Sequence, residues 1–159
     1  MSTLANRIEQ YLKALLAESK DGAIALRRSD LAEAFMCAPS QINYVLETRF
    51  NPSRGYYVES RRGGGGYLRL VRLSINENDG LGEVIREAEN RSVSQQNGED
   101  LLNRLVEEGF LSPREGKMLT SLVADDVIGK TYMDETYLRS KMLQTVLINL
   151  LREDWEKGE

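Results

Sequence analysis

The stretch "YYVESRRGGGGYLRL", residues 56–70, is where the periodicity of the chain changes. Before it, apolar residues recur at helical spacing; here they alternate with period two. "YYVES" and "YLRL" read as β-strands joined by "RRGGGG", a β-hairpin with a long glycine-rich tip. Four successive glycines maximise the backbone entropy lost on ordering, so the tip is costly unless bare backbone is useful there. The alternation slips at Leu70–Val71, which predicts a bulge or a strand end.

Upstream of the hairpin lie three helical patterns. Leu4, Ile8, Tyr11, Leu12, Leu15 and Leu16 give an amphipathic helix over residues 4–18, broken by "SKDG". A short second helix is capped by Ser29, with Leu31, Ala34, Phe35 and Met36 on its apolar side. "CAPS" makes a tight turn that sets Pro39 at the first position of a third helix, "PSQINYVLETR". Ile42, Val45 and Leu46 are its inward face, leaving Ser40, Gln41, Asn43, Tyr44, Glu47 and Thr48 outward.

Downstream the pattern is helical again. "GLGEVIREAEN" suggests one helix and the polar "RSVSQQNG" a flexible connection. Residues 99–109 put Leu101, Leu102, Leu105 and Val106 on one face. Ser112 caps a helix with Pro113 in its first turn and Met118, Leu119, Leu122 and Val123 as its stripe. Asp134 opens a long last helix bearing Leu138, Met142, Val146, Leu147, Leu150, Leu151 and Trp155. That apolar face is wide for an acidic bundle, which favours burial against a second copy. The fold expected is mainly α with a β-hairpin. Residues 1–74 are expected to form a winged helix–turn–helix, and residues 75–159 a helical bundle that suits dimerisation.

Composition narrows the function. The 159 residues contain no histidine and one cysteine, Cys37, which excludes His-dependent triads, His-ligated metals, Cys-rich zinc sites and an intrachain disulfide. No catalytic site, metal or cofactor is expected, and the chain is not read as an enzyme. No apolar run approaches the ~20 residues of a membrane span, and the N-terminus lacks signal-peptide character, so the expected location is cytoplasmic. Charge is asymmetric. Residues 1–75 hold 11 Lys and Arg against 7 Asp and Glu, whereas the remainder holds 10 against 18. Between Arg49 and Arg72, six arginines (49, 54, 61, 62, 69 and 72) face one acid, Glu59. A basic half joined to an acidic half suits one part that meets a polyanion.

Two short helices, a tight turn and a polar-faced second helix suit a helix–turn–helix. Gln41 and Asn43 match adenine edges. Ser40 and the first-turn amides suit phosphate, and Tyr44 a thymine methyl or a phosphate. Arg61 and Arg62 at the wing tip suit a narrow minor groove. Glycines beside them remove side chains that would strike groove walls about 6 Å apart.

"RSDLAEAFMCAPSQINYVLETRF" followed by "RGYYVESRRGGGGYLRL" closely resembles the CtsR family, class three stress gene (heat-shock) repressors of Gram-positive bacteria. The likeness continues through "GFLSPREGKML" and the final helix. It implies a homodimeric repressor of Clp protease and chaperone genes on double-stranded operator DNA. The third helix would lie in the major groove and the wing in the minor groove. Gly63 to Gly66 would sense heat. The resemblance also implies control by a protein-arginine kinase acting on Arg62 and Arg28, followed by degradation by the Clp machinery. The DNA-binding set expected is Arg28, Ser40, Gln41, Asn43, Tyr44, Thr48, Arg49, Arg61, Arg62, Gly63, Gly64, Gly65, Gly66 and Tyr67.

Rival readings are a helical adaptor whose basic hairpin binds an acidic partner, and RNA binding through Tyr56, Tyr57 and Tyr67. "ADDVIGKT" at 124–131 meets a relaxed phosphate-loop pattern, but its paired aspartates repel phosphate and its flanks look helical.

Overall fold

The computed structural model describes residues 2–60, 66–75, 85, 93–129 and 134–155. The chain divides into two compact units: Met1–Gly82 together with Leu151–Glu159, and Glu83–Leu150.

In the first unit, α1 (Leu4–Glu18) is capped by Thr3, whose Oγ1 accepts the Asn6 amide at 3.1 Å. Its spacing of i, i+4, i+8 buries Ile8, Leu12 and Leu16. β1 (Ala23–Arg27) leads directly into α2 (Arg28–Ala34), so the helix begins one residue before Ser29, with Arg27 in the capping position and no side-chain cap. Leu31 and Ala32 are buried on α2. The Met36 expected on this apolar face is instead 93% exposed at φ +53°, because it forms the turn that ends the helix. α3 (Pro39–Arg49) starts on Pro39 and buries Ile42, Val45 and Leu46, as its spacing predicts. A single 3-10 turn, Pro52–Arg54, is capped by Asn51 and closed by Gly55 at φ +93°.

The hairpin strands β2 (Tyr56–Ser60) and β3 (Tyr67–Arg72) belong to a three-stranded antiparallel sheet of order β1-β3-β2. β1 is the strand that sequence reading does not anticipate. Register runs Ile24↔Leu70↔Val58 and Ala23↔Val71↔Tyr57 without a bulge. The slip expected at Leu70–Val71 is absent because both neighbours are buried, on opposite faces of the sheet. Leu68 and Leu70 face the helices, joining Ile8, Leu12, Ile42, Leu46 and Phe50 in one core, with Ile24, Leu26 and Val58 against it. The other face meets the chain's own C-terminal segment. Leu73 pairs with Arg152, the Ser74 amide donates to Leu151 O at 2.6 Å, and the Glu153 amide donates to Arg72 O at 2.9 Å.

The second unit contains α4 (Gln95–Glu107), α5 (Pro113–Leu122), α6 (Asp125–Ile128) and most of α7 (Glu135–Leu151). α4 absorbs Gln95–Gly98 from the connection expected to be flexible, since Ser94 caps it at the Asn97 amide, 3.2 Å away. Gly98 is buried there because a Cβ would approach side-chain carbons of Arg139 and Leu143 at 3.2 Å. Ser112 and Glu115 cap α5 reciprocally, and this bonding holds the Glu115 carboxyl below its ordinary value. α7 buries Arg139, Ser140, Leu143, Leu147, Ile148 and Leu151. Leu138, Met142, Val146 and Leu150, expected in the same stripe, are half-buried. Trp155 lies beyond the helix and is half exposed.

Arg139 donates to the carbonyls of Val123 (2.6 Å) and Val93 (3.0 Å) and pairs with Asp125. Segment 124–131 thus opens, in its described part, on one helical turn after a helix, with its first aspartate ion-paired; Lys130 and Thr131 lie outside the described residues. The helix expected over 80–90 also lies outside them, apart from the fully buried Ile85. Among the described residues no helix is long and apolar enough to cross a membrane.

Candidate nucleic-acid interface

The outward face of α3 follows from its seam. With Ile42, Val45 and Leu46 directed to the core, the helical repeat exposes Ser40, Gln41, Asn43, Tyr44 and Glu47. Tyr44 is 56% exposed. Ala38 precedes the helix without a side-chain cap; Pro39 carries no N–H, and the Gln41 amide donates to Ala38 O at 3.0 Å, so the first turn offers an anion fewer amides than the sequence suggests. Thr48 is half-buried, and its hydroxyl donates to the backbone carbonyl of Tyr44 one turn earlier at 2.7 Å.

Arg28 joins three elements at one point. Its Nε donates to Asn43 Oδ1 on α3 at 2.8 Å, and its Nη2 donates to Ser60 Oγ at the end of β2 at 3.1 Å. Its backbone amide donates to Gly66 O, just before β3, at 3.2 Å. Gly66 sits at φ +84°. Arg61, Arg62, Gly63, Gly64 and Gly65 lie outside the described residues. Ser60 and Gly66, which flank them, both bond to Arg28. Next to this junction the Arg27 guanidinium lies over the Tyr67 ring, 4.2 Å from its centroid, in a cation–π contact. Sequence reasoning passed over Arg27, although the adjacent pair Arg27–Arg28 signalled it.

Other arginines of the basic cluster have internal partners. Arg49 donates through Nη1 to Asn6 Oδ1 (2.9 Å) and Glu9 Oε2 (2.8 Å), so its guanidinium is directed to α1. Arg69 pairs with Asp154 and Asp21, each at 2.9 Å, and Arg72 pairs with Glu153. Arg152 forks onto Asp154 (2.7 and 2.9 Å), reaches Glu59 at 3.0 Å, and lies between the rings of Tyr57 and Trp155. The Arg152 hydrogen bonds, helped by Arg69, hold the Asp154 carboxyl down at about 2. The same carboxyl raises both guanidinium values. Arg54 remains exposed. Cys37 packs half-buried against the core. Among the described residues no three Cys, Asp or Glu side chains converge as metal ligands.

The family model for the CtsR N-terminal HTH domain matches residues 3–74, and that for the CtsR C-terminal dimerization domain matches residues 77–148. The transcriptional regulator CtsR of Geobacillus stearothermophilus is 40% identical over 150 residues, covering 94% of this chain and 98% of the relative. That of Bacillus subtilis is 39% identical over 147 residues, covering 92% and 96%. The chain belongs to the CtsR family. It is accordingly a CtsR-type transcriptional regulator carrying a helix–turn–helix domain. It is also similar to a crystal structure of CtsR in complex with a 26bp DNA duplex. Identity there is 37%, coverage 97% of this chain and 100% of that one, and the TM-score 0.49. The first CtsR model ends two residues past β3, and the second ends within α7. Arg152–Trp155, which close the outer face of the sheet, lie beyond both.

Proposed function

We propose that this CtsR-type regulator is a homodimeric, cytoplasmic repressor that binds double-stranded operator DNA sequence-specifically. The observation that carries the reading is the polar face of α3, Ser40, Gln41, Asn43 and Tyr44, set over a buried apolar seam and joined through Arg28 to the base of the arginine-bearing hairpin. A helix of this kind fits the major groove, where asparagine and glutamine read base edges. The hairpin segment from Arg61 to Tyr67 enters the minor groove, drawn by the negative potential of A·T-rich DNA. Residues 1–74 carry DNA binding, and residues 75–159 carry dimerisation and regulation. A second copy fits the apolar character of α7, whose Leu138, Met142, Val146 and Leu150 stay half-buried while Leu143, Leu147 and Leu151 fill its own seam. The description of the second family model supports the same assignment.

The genes controlled are heat-shock genes of the Clp class. Release follows warming, phosphorylation of Arg62 and Arg28 by a protein-arginine kinase, or both, with Clp proteolysis removing the free repressor. Phosphate on Arg62 replaces a groove-seeking cation by an anion facing backbone phosphates. Ordering Gly63 to Gly66 on DNA costs on the order of 1–2 kcal/mol per residue, an entropic term that grows with temperature.

Footprinting on promoter DNA over a temperature series tests this. Wild type protects one repeat sequence, weakens steeply with salt, and loses protection on warming. Arg62→Ala weakens protection throughout, and Gly64→Ala with Gly65→Ala shifts the release temperature. Normal binding by Arg62→Ala at every temperature sinks the wing assignment. Absence of any sequence preference returns the molecule to an adaptor role.

A further inference from the structure

We infer that Arg28 is a positioning residue that fixes Asn43 as a hydrogen-bond donor facing the major groove, and thereby sets the base preference at one operator position. This rests on the reading of α3 as the base-reading helix.

An unconstrained asparagine amide is two-faced. Rotation about its last torsion exchanges a carbonyl acceptor for an amide donor at nearly no steric cost. Adenine is its usual match because that base offers one acceptor, N7, and one donor, N6, side by side. In this chain the choice is already made. A guanidinium has five N–H donors and no acceptor, so the atom 2.8 Å from Arg28 Nε has to be Asn43 Oδ1. Nδ2 is then the atom left to donate, and among the described residues it has no hydrogen-bond partner.

Arg28 is well placed to hold the amide there. It is the first residue of α2, so the helix sets its backbone. The backbone amide is fastened to Gly66 O (3.2 Å) and the far end of the side chain to Ser60 Oγ (3.1 Å). Neither anchor lies on α3. The orientation of Asn43 is thus dictated from the base of the wing and not chosen on contact with a base. A pinned Asn43 offers N–H donors to purine N7, guanine O6 or thymine O4. It is a poor acceptor for adenine N6 or cytosine N4, because a cationic donor already occupies Oδ1.

The test measures binding to a set of operators altered one base pair at a time, using wild type, Arg28→Lys, Arg28→Ala, Asn43→Ala and Arg28→Lys with Asn43→Ala. Circular dichroism verifies that each variant is folded. Asn43→Ala marks the base pair that this residue reads. At that pair alone, Arg28→Lys and Arg28→Ala shift preference toward adenine by about 10-fold, within the range of one well-made base contact. In the double variant the shift disappears, because nothing remains to reorient. Arg28→Lys retains the positive charge, so the salt dependence stays near that of wild type while discrimination changes.

A second readout needs no DNA: the side-chain amide signals of Asn43 in the free protein move in Arg28→Lys. Unchanged signals overturn the inference. So does an equal loss of affinity on every operator, with a shallower salt dependence for Arg28→Ala, since that describes a phosphate contact. Intact discrimination in Asn43→Ala also overturns it. Wild-type protein without any base preference is a separate result that removes the reading of α3 itself.

Discussion

The two faces of the small sheet are held by different physics. On the inner face Leu68, Leu70, Ile24, Leu26 and Val58 pack with Phe50 and the apolar seams of α1 and α3 in one apolar core. On the outer face, around buried Val71 and Ala23, Glu59, Arg69 and Tyr57 meet Arg152 and Asp154 through ion pairs and a cation–π contact, with Trp155 on the far side of Arg152. Apolar burial is non-directional and involves no charge for salt to screen or pH to titrate. An ion-pair cluster tolerates only its own geometry and is screened by salt in its exposed parts. Here the side chains of Arg152 and Asp154 are each only 4% exposed, while Asp21 is about half exposed, so the cluster is shielded from solvent at its centre and screened at its edge. One sheet thus combines a face that fixes the fold with a face that ties the chain's end to β3.

The largest effect belongs to the inner face. Leu70→Ala empties a fully buried site at the centre of the core and should lower stability by about 3 kcal/mol in urea titration. That loss should be the same in low and high salt. Arg152→Ala comes next. It strips the guanidinium from Asp154 and Glu59 and leaves a carboxylate shielded from water with Arg69 as its remaining partner. About 2 kcal/mol is expected, by analogy with buried pairs that lose one member. The part contributed by Glu59 should shrink as salt rises. Equal salt dependence in the two variants would erase the distinction between the faces.

The smallest effect is a pH slope. Asp154 titrates at about 2 in the folded chain, bonded first by Arg152 and then by Arg69, against an ordinary carboxyl value of about 4. Between these values the unfolded chain binds more protons. The stability due to Asp154 is therefore complete above about pH 4 and disappears as pH falls toward about 2. Asp154→Asn should cost about 1 kcal/mol at neutral pH, and the gap to wild type should close in acid. A gap that stays constant from pH 7 to pH 2.5 would deny Asp154 this role.

Local signals in the sequence were faithful where the physics is local. The i, i+4 spacing of Ile8, Leu12 and Leu16, Pro39 opening α3, and the Ser112–Glu115 cap each act within one or two turns. The elements that escaped depend on distant partners. β1 offers only Ile24 and Leu26 as inward residues, and its partners on β3 lie 40 to 48 positions away. The outer face is closed by residues more than 80 positions after β3 begins, which is why Val71 looks like a break in alternation. At the site, the outward face of α3 followed from periodicity alone. Arg49 was grouped with groove arginines by charge, yet Asn6 and Glu9 on α1 claim it. The link from Arg28 to Asn43 spans 15 residues and has no periodic signature.

The clasp of Arg28 on Ser60 and Gly66 also bears on how this hairpin can vary in length. Both ends of the intervening segment are fixed to one residue of a helix, so strand register does not depend on what lies between them. Once two ends are held together, doubling the number of residues between them costs only about 0.6 kcal/mol. Insertions or deletions between Ser60 and Gly66 are therefore expected to leave the strand register unchanged and to alter the reach of the hairpin. The geometry separates the dimension that sets reach from the dimension that sets fold.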